Sequence, residues 1–128
     1  MSDDNVKKIR VLIADDKPEM RQVFTNLLYF EEDLIVVGTA SDGAEAVSKA
    51  QELQPDVILM DIEMPNMDGV TATEQIKKSH PNTAIIGMSS DARLKVRVMV
   101  AGAIDFLAKP FTGDEITAAI RKAAGQPE

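Results

Sequence analysis

Five short runs of aliphatic and β-branched residues recur along the chain, at Ile9 to Ala14, Leu34 to Thr39, Asp56 to Met60, Ala84 to Met88 and Ile104 to Leu107. Their starts, near 9, 34, 56, 83 and 104, lie 21 to 27 residues apart, the length of one strand plus one helix. The runs are almost continuously apolar, as strands are when both faces of their sheet are covered. This spacing and apolarity constrain the chain to an α/β fold, (βα)5, with a parallel sheet between two layers of helices. At 128 residues there is length for one such domain and none for a second. A hydrophobic content of 45% supplies its core.

Between the runs the periodicity becomes helical. Met20, Val23, Phe24, Leu27 and Leu28 follow i, i+3, i+4, i+7 and i+8 behind Pro18, a residue suited to a first turn, and predict a stripe facing the sheet. Asp42-Gly43-Ala44-Glu45 and Thr112-Gly113-Asp114-Glu115 have the form of capping boxes. They open helices whose inner faces carry Val47, Ala50 and Leu53, then Ile116, Ala119, Ile120 and Ala123. Asp68-Gly69 precedes a helix with Val70, Thr73 and Ile76 that stops near His80-Pro81-Asn82, which makes His80 a surface residue at a helix end. In the helix after Asp91, Leu94, Val98 and Ala101 form one stripe, while Val96, Met99 and Val100 leave apolar groups elsewhere on its circumference. The domain is predicted over 9–124, with 1–8 and 125–128 as tails, the latter a candidate linker stub.

Charge and composition exclude several chemistries. A formal net charge of −7 offers no positive field for a nucleic-acid backbone. The absence of cysteine removes disulfides, thiolate metal sites and thiol nucleophiles, and a lone His80 argues against histidine metal cages and Ser-His triads. Met1-Ser2-Asp3-Asp4-Asn5 has no apolar stretch behind basic residues, and no apolar run approaches membrane-spanning length. The expected location is cytoplasmic, without membrane contact.

In open parallel sheets, ligands sit at the carboxyl ends of strands where the strand order reverses. For the flavodoxin-like order 2-1-3-4-5, that point lies between the first and third strands. Asp15-Asp16 follows the first run and Asp61 the third, so three carboxylates converge. Like charges at such range resist joint ionisation, and hard oxygen ligands with open positions suit Mg2+. A simpler role for Asp15 or Asp16 is to cap the following helix. Ser89 and Lys109, at the ends of the fourth and fifth strands, add a hydroxyl and an amine. A carboxylate nucleophile, a metal, a cation and a hydroxyl donor are what phosphoryl transfer to aspartate requires.

Asp15-Asp16, Asp61-Ile62-Glu63-Met64-Pro65 with Asp68-Gly69, Ser89, and Phe106 ahead of Lys109-Pro110 together resemble the receiver domain of two-component response regulators, over nearly the whole chain. The resemblance implies that Asp61 accepts a phosphoryl group from a sensor histidine kinase, a histidine phosphotransfer protein or a small donor such as acetyl phosphate. It implies that Mg2+ is held by Asp16 and Asp61 directly, by Asp15 chiefly through water, and by the Glu63 backbone carbonyl. Lys109 would pair with Asp61 and then with the phosphoryl group, across a cis Lys109-Pro110 bond.

Ser89 and Phe106 would act as the switch, with Phe106 swinging into a void that opens behind Ser89. The switch would reshape the fourth helix, fifth strand and fifth helix for an output domain, a partner or a homodimer. Glu63, two residues past the acceptor, places an anion at the pocket mouth, and Ser90 narrows access. Both suggest slow loss of the phosphoryl group, although Glu63 pointing to solvent would do nothing. A flavin carrier lacks the loop and stacking aromatics it needs here, and a nucleotide hydrolase lacks its glycine motif. Asp61-Ile62-Glu63 only loosely imitates the acidic motif of an aspartate phosphatase. The competing reading is a receiver-like interaction module that works without phosphorylation.

Overall fold

The computed structural model describes residues 7–125. Strands β1 (Ile9–Ala14), β2 (Leu34–Ala40), β3 (Val57–Asp61), β4 (Ala84–Ser89) and β5 (Asp105–Ala108) alternate with helices α1 (Pro18–Tyr29), α2 (Gly43–Leu53), α3 (Gly69–Ser79), α4 (Leu94–Ala101) and α5 (Gly113–Ala123). The strands form one sheet in the order β2-β1-β3-β4-β5, and every adjacent pair is parallel. This is the expected (βα)5 arrangement. Of the expected tails, residues 1–6 and 126–128 lie outside the described residues; Lys7 and Lys8 are exposed ahead of β1, and Gly125 follows α5 in a turn.

Alternate strand residues divide between two cores. Leu12, Ala14, Ile58, Met60 and Ile85 pack with Ala46, Ala50, Ala72, Ile76 and Val98 of α2, α3 and α4. Val11, Ile13, Val57, Leu59, Ile86 and Met88 pack with Phe24, Leu28, Ile116 and Ile120 of α1 and α5. Helices on both faces explain why the strand runs are apolar without alternation.

Several local readings need correction. β3 and β5 sit one residue later than expected, so Asp61 is the last residue of its strand instead of the first beyond it. The α1 stripe is narrower than its periodicity: Phe24 and Leu28 are buried, whereas Val23 and Leu27 face outward at 46% and 38% exposure. A helix lying on one face of a sheet buries the centre of such a stripe more fully than its margins. At α2, Asp42 accepts from the Glu45 amide, but the Glu45 carboxylate turns to the amide and hydroxyl of Ser41, leaving the box half formed. The box at Thr112 and Glu115 is complete.

Candidate functional site

The carboxyl ends of β1 and β3 bring Asp15, Asp16 and Asp61 together, with one carboxylate oxygen from each lying within 4.8 Å of the others. Adjacent strands in parallel register oblige their ends to meet, since Ala14 pairs with Met60 one residue before each acidic position. Asp15 and Asp61 are buried, at 0% and 3% exposure. Asp15 accepts from the Lys17 amide through Oδ1, at 2.9 Å, while its carbonyl takes a 2.7 Å bond from Arg21. The Glu63 amide donates to Asp61 Oδ1 at 3.2 Å.

Lys109 enters from the end of β5, after which the Lys109–Pro110 bond is cis. Its Nζ stands 3.9 Å from Asp61 Oδ2 and 4.0 Å from Asp15 Oδ2. At that range the ammonium acts as a shared counter-charge. It does not fully offset what surrounds Asp61. Burial pushes the Asp61 carboxyl up to about 6, against the pull of Lys109, and the anions Asp15 and Asp16 add to the rise.

Asp15 Oδ2 and Asp16 Oδ1 are buried without a hydrogen-bond partner. Two orphaned carboxylate oxygens within reach of a third carboxylate are a hard, oxygen-only donor set that fits a small divalent cation. The loop beyond β3 is drawn tight beneath this cluster. The Gly69 amide donates to the Ile62 carbonyl at 2.8 Å, and a Cβ on Gly69 would lie 2.4 Å from the Asp61 carbonyl oxygen. The sequence pattern marks Gly69 as a helix start and as part of the receiver resemblance; the close approach that requires a glycine there shows only when the end of β3 meets the start of α3.

Ser89 ends β4, buried at 1% exposure, and its backbone carbonyl accepts from the Lys109 amide at 2.9 Å. Its hydroxyl donates to Glu63 Oε1 at 2.9 Å and accepts from the Asp91 amide at 2.9 Å. Glu63 therefore turns to Ser89 across the mouth of the site. No sequence signal announces this contact, because the two residues lie 26 positions apart.

Phe106 is already inside, at 9% exposure, in the core with Val98. It pairs in register with Gly87, whose missing side chain gives Val98 its room. Phe106 therefore starts from an inward position. Beside the acids, a cleft of about 500 Å³ runs between the β3–α3 loop and α4, lined by Asp16, Glu63, Pro65, Asp68, Leu94 and Arg97. Ser90 is exposed, and His80 is half-buried at the end of α3, 3.1 Å from Gln51.

A parallel five-stranded sheet with an acidic cup at its switch point is typical of the receiver class of signalling domain. Residues 11–121 match the response regulator receiver domain, and the chain belongs to that family. It is 44% identical over 123 residues to a protein-glutamate methylesterase/protein-glutamine glutaminase of Caldanaerobacter subterraneus, covering 94% of this chain and 33% of that protein. A Thermotoga maritima protein of the same name is 45% identical over 113 residues, covering 85% and 33%. The chain thus spans about a third of the length of these relatives.

Among solved structures, the response regulator domain of Thermotoga maritima CheB is 39% identical with a TM-score of 0.85, covering 95% of this chain and all of that one. The CheY chain of a CheX-CheY-BeF3-Mg2+ complex from Borrelia burgdorferi is 28% identical with a TM-score of 0.85, covering 95% and 93%. Among the described residues no helix is long and apolar enough to cross a membrane.

Proposed function

We propose that Asp61 is the phosphoacceptor and that Mg2+ is held by Asp15, Asp16, Asp61 and the Glu63 backbone carbonyl. The supporting observation is the convergence of three carboxylates, two with orphaned buried oxygens, beside the Lys109 ammonium. The magnesium-bearing CheY relative supports the choice of ion. When bound, the ion supplies positive charge that offsets repulsion between the acids and an incoming phosphoryl group.

An Asp61 carboxylate oxygen attacks phosphorus. The bond to the donor's imidazole nitrogen, or to the acyl oxygen of acetyl phosphate, breaks, and the leaving group keeps the electron pair. Lys109 lies within reach to pair with a phosphoryl oxygen as Asp61 loses its own charge. Ser89 then donates to another of those oxygens, drawing its loop toward the site. The inward Phe106 senses that movement from the neighbouring strand.

The receiver unit comprises 9–124 flanked by the tails 1–8 and 125–128, in a cytoplasmic protein. Its phosphodonor is a sensor histidine kinase or a histidine phosphotransfer protein. Output runs through α4, β5 and α5, where Val96, Val100 and Ile104 are exposed at 69%, 83% and 55%. This surface suits a second copy, an output domain or a separate partner.

Intact mass after exposure to acetyl phosphate tests the acceptor. Wild type gains one phosphoryl group only when Mg2+ is present, and Asp61→Asn gains none. A wild-type chain that gains nothing with Mg2+ would instead be an interaction module independent of phosphate.

A further inference from the structure

We infer that the Glu63 carboxylate is a latch on the switch hydroxyl, a competing acceptor that Ser89 must leave before it can donate to a phosphoryl group on Asp61. This rests on the phospho-accepting reading of Asp61 and Ser89. A serine hydroxyl has one proton to donate. Here the Ser89 oxygen already accepts from the Asp91 amide, and its O–H donates to Glu63 Oε1, each at 2.9 Å.

The loop carrying that arrangement is braced by a contact of its own. Asp91 is clasped by the amide, Nε and Nη2 of Arg93, at 3.0, 2.9 and 3.0 Å. Ser89 is buried at 1% exposure, so no bulk water competes freely for its hydroxyl, whereas Glu63 is exposed and returns to solvent when released. Releasing the latch therefore costs less than breaking a buried pair. It sets a threshold on activation of about three- to tenfold in the apparent affinity for a phosphoryl group or its mimic. Glu63 is a positioning residue that acts through Ser89.

The test uses the 128-residue chain, beryllofluoride as probe and saturating Mg2+, with binding followed by amide resonances that also report that each variant is folded. Glu63→Ala tightens beryllofluoride binding about three- to tenfold. Glu63→Gln, which keeps an acceptor but no charge, falls between Ala and wild type. In a Ser89→Ala background, Glu63→Ala changes the affinity by less than about twofold. An equal gain in both backgrounds, or a Gln variant matching Ala, would show that Glu63 acts only through its charge and would overturn the latch while leaving Asp61 as acceptor. If Ser89→Ala leaves affinity unaltered in the Glu63→Ala chain, the switch role of Ser89 and the latch both fall. Absence of Mg2+-dependent binding by wild type would remove the phospho-accepting reading itself.

Discussion

Burial makes Asp61 harder to ionise than a carboxyl in water. With its carboxyl pushed up to about 6 by burial, the folded chain binds a proton between about pH 4 and 6 that the unfolded chain has given up. Stability at this residue therefore falls as pH rises through that window, and the penalty is fully present at neutral pH. In chelator, Asp61→Asn is expected to raise stability by about 2 kcal/mol at pH 7.5, with the gain shrinking toward zero near pH 4. Urea unfolding of both proteins across that range measures it; a gain independent of pH would mean that packing, and not charge, separates them. The strand-end positions of Asp15, Asp16, Asp61 and Lys109 were legible in the sequence because each follows an apolar run. The direction of Glu63 was not, since it depends on how two loops from neighbouring strands lean together.

Element boundaries follow local chemistry, but some are held by strain that only the backbone shows. The C-cap of α2 is Gln54, in the left-handed region at φ 48°, where glycine would sit without a steric penalty. Arg10 holds this end by donating to the Leu53 and Gln54 carbonyls, both at 2.8 Å. Gln54→Gly is expected to stabilise the fold by about 0.5–1 kcal/mol, since the Arg10 contacts reach only backbone; thermal unfolding checks it. Gly69→Ala should do the opposite. Its Cβ would press on backbone that cannot yield like a side-chain tip, with an expected loss of about 2 kcal/mol or more and weaker phosphoryl uptake by mass. The α1 stripe shows the limit of periodicity: it identifies the helix and its buried centre, Phe24 and Leu28, but not how far around the cylinder burial extends.

Across the whole molecule, α5 contributes an ion pair that ties elements together, while the exposed apolar groups of the proposed output surface lie on α4 and in the turn before β5. Arg121 of α5 binds Asp33 through Nε and Glu31 through Nη2, at 2.8 and 2.6 Å, tying the last helix to the α1–β2 connection. The exposed apolar groups of α4 and the approach to β5 make no comparable contribution. Val100→Ser and Ile104→Ser should each change stability by less than about 0.5 kcal/mol. If the surface pairs two copies, together they abolish self-association of the beryllofluoride-loaded chain in sedimentation; association unaffected by both would place the interface elsewhere.

The sequence by itself determined the alternation of elements, the parallel sheet and the identity of the acidic cluster. Those features depend on local hydrophobic pattern and on which residues follow each strand. Tertiary structure alone decided that Asp61 is buried enough to resist ionisation, that Phe106 lies inward, and that Glu63 accepts the hydrogen bond of the Ser89 hydroxyl. Burial and long-range hydrogen bonds are set by neighbours distant in the chain, and no window of residues carries them.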